Sequence, residues 1–350
     1  MTTTRDREVR ATNLGGELVR VEFKHSNVVS DHPERMGGSG KGPSPAVLLM
    51  SALVSSSVLV ARQTAEAEGI RLSSAVARAV PKINREKIGG PLAARIYLPE
   101  IWRQVELAGD MTPAEAQRVQ GAVADCPIAA ALREGLQIDE RVTYTAVDRP
   151  RLPPVQHSSF EKMGLDRLAK LQVGETEEGA LEPAWRLSAI ALGQDTALVD
   201  LGFHLISVGA TPELRRGPSP TELLLGGLAA CTAIYVSRFA SFKNIPLERV
   251  NVSVSTQDDG GPLRRLTKVA ELVGNLTPEE VAECIFFAEV CAIGQSLLQG
   301  VRLNDRILIS QAPAGGAEAL GALLRDAPPP SREADCDDGA CCAPEFGSLS

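Results

Sequence analysis

Apolar and polar residues alternate with a period of two at residues 17–23 and again at 185–192, the signature of half-buried strands. Each run precedes a long helical pattern. Leu49, Leu53, Ser56 and Val60 fall on one face of a 3.6-residue period, and Leu224, Leu228, Cys231 and Tyr235 fall on one face of the other. Ser219, Pro220 and Glu222 form a capping box with proline at the first helical position, which predicts where the later helix starts. The earlier helix keeps Ser44 and Pro45 but has Val47 in place of the glutamate. Strand-like sequence follows at 250–255 and 266–273, and then a second helix opens at Thr277 with Pro278 and Glu280 in the same capping positions. That helix is expected to carry Cys284, Phe287, Ala288 and Cys291 on one face, and a final strand covers 302–309.

The pattern repeats because the sequence repeats. Gly42-Pro43-Ser44-Pro45 aligns with Gly217-Pro218-Ser219-Pro220 at an offset of 175, which sets Cys231 on Ser56. Gly89-Gly90-Pro91-Leu92 answers Gly260-Gly261-Pro262-Leu263 at 171. Met111-Thr112-Pro113 answers Leu276-Thr277-Pro278 at 165, where Cys126 lands on Cys291 and Gly135 on Gly300. The expected organisation is a unit at 15–148 lacking the first-helix cysteine, a linker at 149–180, a unit at 181–310 with two cysteines, and a flexible tail at 311–350 carrying Cys336, Cys341 and Cys342.

Composition narrows the partners. The 350 residues are 44% hydrophobic and 23% charged, enough for two globular cores. A formal charge of −8 with 4% aromatic residues offers no basic stripe or stacking platform, so nucleic acid is not expected as a partner. The start of the chain has no apolar leader pattern, and the run at 46–61 contains four serines and is short for a membrane span. It reads as a buried helix, with no membrane partner and a cytoplasmic location expected. Seven cysteines at irregular spacing do not form a disulfide framework.

The stretch Gly217-Pro218-Ser219-Pro220-Thr221-Glu222-Leu223-Leu224-Leu225-Gly226-Gly227-Leu228-Ala229-Ala230-Cys231-Thr232, with Cys291 and Ser296-Leu297 sixty residues on, resembles the OsmC/Ohr (osmotically inducible protein C and organic hydroperoxide resistance) superfamily. The resemblance covers most of 180–310, and through the repeat a degenerate copy covers 15–148. It implies an α+β fold with sheets wrapped around two central helices, and two such units in one chain forming an intrachain pseudo-dimer, with a further homo-oligomer open. It also implies that Cys231 attacks a peroxide and Cys291 resolves it, with Glu222 as a further site residue. The substrate expected is a small-molecule peroxide or thiol, with a dithiol as reductant. Where the hydroperoxidases carry an arginine in an N-terminal strand turn, this chain offers Gln194, with Arg186, Arg215 and Arg216 nearby in sequence.

The chemistry stands without the family, since a thiolate of lowered pKa displaces a peroxide oxygen to give a sulfenic acid that a neighbouring thiol converts to a disulfide. Two other functions remain open. Cys336, Cys341 and Cys342 suit a soft metal or metalloid ion, no other cofactor being expected, and the adjacent pair also suits a tethered reductant. The scaffold could instead serve sulfur transfer, with the place at Ser56 holding a ligand. Ser56 itself lacks a histidine and acid to activate it. His25 and His32 are expected as solvated loop residues, and Cys284 as core.

Overall fold

The computed structural model describes residues 5–32, 38–89, 93–147, 187–201, 205–210, 217–258 and 262–311. Its two longest helices start where the serine caps are. Helix α1 (Pro45–Ala67) is capped by Ser44, whose side chain accepts from the Val47 N–H. Its counterpart, here α4 (Pro220–Phe242), has the full capping box between Ser219 and Glu222. Each is 23 residues long and apolar enough to cross a membrane by length and composition, but most of that surface is buried inside the protein. The helix thus runs six residues past the apolar run that marked it. The two pack against each other. Gly227 permits the close approach: a Cβ there would sit 3.1 Å from the Pro45 carbonyl oxygen and 3.3 Å from the Leu49 nitrogen.

Two six-stranded sheets enclose these helices, and neither belongs to one half of the sequence. The first half supplies β1 (Arg5–Gly15), β2 (Leu18–Glu22), β3 (Asn27–Ser30), β4 (Arg71–Gly89), β5 (Ala93–Asp110) and β6 (Gln137–Ala146). The second supplies β7 (Ser188–Ala191), β8 (Thr196–Asp200), β9 (Leu205–Gly209), β10 (Leu247–Asp258), β11 (Arg265–Gly274) and β12 (Arg302–Gln311). One sheet runs β3-β2-β1-β10-β11-β6 and the other β12-β5-β4-β7-β8-β9. Strand β1 pairs antiparallel with β10, setting Arg7 opposite Thr256, and β4 pairs antiparallel with β7. The closing strand of each half crosses over and lies parallel to a strand of the other, β6 on β11 and β12 on β5. Reciprocal bonds seal the crossover: the Leu136 N–H donates to the Leu297 carbonyl and the Val301 N–H to the Leu132 carbonyl, both at 2.6 Å. The intrachain pseudo-dimer is therefore strand-exchanged. β1 precedes the segment that the alternation marked, because its outward positions carry charges and its inward ones only Val9 and Ala11.

The smaller helices correct one expectation. Helix α5 (Pro278–Glu289) ends before Cys291, and Cys291 becomes the N-cap of a separate helix α6 (Ala292–Gln299), bent 51° from the first. The first half has the same break between α2 (Pro113–Ala124) and α3 (Pro127–Glu134), where Pro127 disfavours helical backbone at Cys126. Cys284 and Cys291 are thus on different helices, although both are buried.

Candidate active site

Cys231 projects from the middle of α4, and the break between α5 and α6 brings Cys291 to it. Both are thiols in a hydrogen bond with one another, and the Ile293 N–H of the first turn of α6 points at the Cys231 sulfur at 3.5 Å. Cys231 retains 8% exposure and Cys291 none, so a solute reaches Cys231 first. Around Cys291, the Thr232 hydroxyl lies 3.2 Å from the sulfur. Lys268 enters from the buried face of β11, held by the Ala288 carbonyl at 2.9 Å and by Glu140 of β6 at 2.9 Å. Gly294 completes the wall: a Cβ on it would meet Cys291 Sγ at 2.9 Å and Lys268 Nζ at 3.9 Å.

These neighbours divide the charge unequally. The hydrogen bond from Cys231 pulls the Cys291 thiol down, and Lys268, Thr232 and the Gly294 N–H add to it against the cost of burial, to about 5. The Cys231 thiol is pushed up by donating to Cys291 and by burial. The pair is thus polarised, Cys291 toward the thiolate and Cys231 toward the protonated thiol, with the Lys268 ammonium favouring charge at Cys291. Burial also pushes the Glu140 carboxyl up, with Lys268 opposing it.

Glu222 is placed elsewhere. It accepts from the Ser219 N–H and hydroxyl and from the Lys24 N–H, closing the start of α4 against the β2–β3 turn. Nine helical residues separate it from Cys231, about 13 Å along the axis. Gln194, offered in place of an arginine, sets its amide against the Glu66 carboxylate. Arg186, Arg215, Arg216 and the tail thiols Cys336, Cys341 and Cys342 lie outside the described residues. His32 is not a solvated loop residue. It pairs with Glu17 at 2.8 Å, and Glu17 also receives Arg238 at 2.5 Å, two turns beyond Cys231 on α4. Lys268, Thr232, Glu140 and Gly294 were not singled out from the sequence.

A matching constellation stands in the first half with related side chains. At the repeat offsets Arg103 stands where Lys268 is, Asp305 where Glu140 is and Ser57 where Thr232 is, while Cys126 keeps the cysteine of position 291. Arg103 is fully buried and clasps Asp305 with two bonds of 2.8 and 2.6 Å. It also donates to Ser57 Oγ at 3.1 Å, to the Val123 carbonyl at 3.2 Å and to Cys126 Sγ at 3.5 Å. Only the first-helix thiol is missing, because Ser56 occupies the place of Cys231.

A strand-exchanged α+β chain with one buried, cation-paired dithiol defines the class. Residues 38–141 and 212–304 both match the model for OsmC-like proteins, and the chain belongs to that family as a tandem duplication. Structural neighbours include an organic hydroperoxide resistance protein from Legionella pneumophila (17% identity over 37% of this chain and 89% of that one, TM-score 0.28). Others are an OsmC-like protein of unknown function from Vibrio cholerae (12%, 37% and 94%, 0.30) and an organic hydroperoxide resistance protein from Elizabethkingia anophelis (17%, 38% and 89%, 0.28). No curated protein sequence matches the chain.

Proposed function

We propose that this protein reduces organic hydroperoxides with the Cys231–Cys291 pair. What supports the reading is the hydrogen-bonded pairing of two thiols beside a buried lysine, in a chain of the OsmC-like family. Cys231, the more accessible sulfur, passes its proton to Cys291 and attacks the terminal oxygen of ROOH. The O–O bond breaks, Cys231 becomes a sulfenic acid, and RO⁻ takes the proton from Cys291 to leave as ROH. The Cys291 thiolate, restored beside Lys268, attacks the Cys231 sulfur, forms the disulfide and expels hydroxide, which solvent protonates to water. An external dithiol returns the pair to its reduced state. Lys268 thus favours the second step, in which the negative charge is back on Cys291, and Glu140 holds Lys268 in place. Glu222 contributes through the cap of α4 rather than through substrate.

Consumption of cumene hydroperoxide with dithiothreitol tests this. Cys231→Ser should abolish turnover, while Cys291→Ser should allow one turnover and leave a sulfenic acid that dimedone labels at Cys231. Wild-type turnover in Cys231→Ser would overturn the proposal.

A further inference from the structure

The first half leaves open a space that the second half fills with an aromatic ring. Beside Ser56 lies a cavity of about 220 Å³, with Leu59 and Val60 of α1 and Ile128 of α3 among its walls. Val60 follows Ser56 by four residues, and a helical side chain leans over the turn before its own Cα. At the offset of 175, Tyr235 stands where Val60 does and Cys231 where Ser56 does. A tyrosine therefore covers the turn that carries Cys231, where a valine borders the cavity in the first half.

Other rings extend that cover into a wall. The Tyr235 ring lies 6.2 Å from that of Phe287, tilted by 39°, and Phe287 stacks on Phe239, one turn further along α4. Tyr235 comes four residues after Cys231 and Phe287 four before Cys291, so the wall follows the chain to about one helical turn from each thiol. The first half has Val60, Thr64 and Ala122 at the matching positions, without a ring among them. Phe287 is 7% exposed and Tyr235 is half-buried, so Tyr235 presents the wall to solvent at the Cys231 end. Arg238, at the position of the cavity-lining Gln63, is already paired with Glu17 at 2.5 Å. Aromatic rings favour offset or edge-on partners about 4.5–7 Å away, which adds to what burial alone contributes. Resting on the reading of Cys231 as the peroxide-reducing thiol, we propose that Tyr235 is the specificity-determining residue of this site. Its favoured substrates are hydroperoxides with an aryl group on the peroxide-bearing carbon. The aryl ring packs against Tyr235 while the terminal oxygen reaches Cys231, and the bonds made and broken are those of the proposed peroxide reduction.

The ratio of kcat/KM for cumene over tert-butyl hydroperoxide tests this, scaled to the ratio of their rates with free mercaptoethanol. The full chain should favour cumene hydroperoxide about tenfold, the upper end for an aromatic pair. Tyr235→Val, or independently Tyr235→Leu, should remove most of that preference through a higher KM for cumene hydroperoxide. Tyr235→Phe should keep it, and Val60→Tyr in the first half should leave it unchanged. A second readout does not depend on peroxide turnover: in Cys291→Ser, Cys231 should react faster with benzyl than with methyl methanethiosulfonate, and adding Tyr235→Val should level the two. Absence of peroxide turnover with that thiosulfonate preference intact would remove the peroxide and leave Tyr235 as the aryl-selecting residue of the thiol. Equal scaled rates for the two peroxides in an active enzyme, equal rates for the two thiosulfonates, or a preference that survives both Tyr235→Val and Tyr235→Leu would each overturn the role of Tyr235.

Discussion

Lys268 and Arg103 hold matching places in the two halves, and each is spent differently on the buried cysteine beside it. Arg103 distributes its planar fork among Asp305, Ser57, Val123 and Cys126, so its charge is largely answered before a sulfur is considered. Lys268 is a point charge with two anchors, Glu140 and the Ala288 carbonyl, and it acts on a cysteine that already receives a hydrogen bond from a second thiol. The same frame therefore holds two neighbouring thiols in one half and a single thiol in a fixed buried cluster in the other. A buried cation beside a cysteine is not enough. The partner thiol is the first cause of the low Cys291 pKa, and Ser56 removes that partner.

The largest effect should come from removing either cation. Lys268→Met leaves Glu140 without its cation, costing about 3 kcal/mol since that carboxylate keeps some solvent, and Arg103→Met leaves Asp305 with only Arg133 at 3.7 Å, costing no more than about 3 kcal/mol. Only Lys268→Met should also abolish the thiolate absorbance near 240 nm at pH 7; equal loss in Arg103→Met would break the comparison. A pH titration of that absorbance comes next. The Cys291 pKa is lowered, so its contribution to stability is present above the ordinary thiol value and is lost as pH falls through about 5. The denaturant midpoint should fall progressively from the ordinary thiol range down to about pH 5, the absorbance should step down around pH 5, and Thr232→Val should move that step upward.

Ser56→Cys tests whether one atom separates the halves. Mild oxidation of the variant should consume two more thiols per chain than wild type, by thiol titration under denaturing conditions. An equal loss would show that Arg103 also differs in kind. Gly294→Ala is a smaller perturbation, costing about 1–3 kcal/mol because its methyl meets the Cys291 sulfur. The first half already has alanine at the matching position, Ala129, so Ala129→Gly should cost no more than about 1 kcal/mol. The smallest effect belongs to Cys284→Ala: burial pushes that thiol up to about 12, and its loss should leave peroxide turnover unchanged.

Both helix caps and the duplication are legible in the sequence because capping residues and repeat offsets are local signals. Lys268 was legible too, in a way that strand and helix patterns conceal. Leu266, Ala270 and Leu272 share its inward face, and Ile101, Val105 and Leu107 share that of Arg103. A cation in the apolar phase of a strand in both copies marks a buried charge that must find a partner. Glu140 and Asp305 were not legible, because each reaches its cation only after β6 and β12 cross to the opposite half, and no local pattern announces a strand exchange. The helix break at Cys291 was hidden for a simpler reason: the proline that signals it, Pro127, survives only in the other copy.

The pairing of β1 with β10 also sets a clock on biosynthesis. Thr12 lies opposite Asn251 in the ladder, 239 positions later in the chain. At about 5–20 residues per second, the N-terminal strand emerges roughly 12–50 s before its partner exists. During that interval the edge of β1 and the apolar faces of α1 stand open to water. The nascent first half thus waits for the strand that covers it, and the order of translation becomes part of how the two halves find each other.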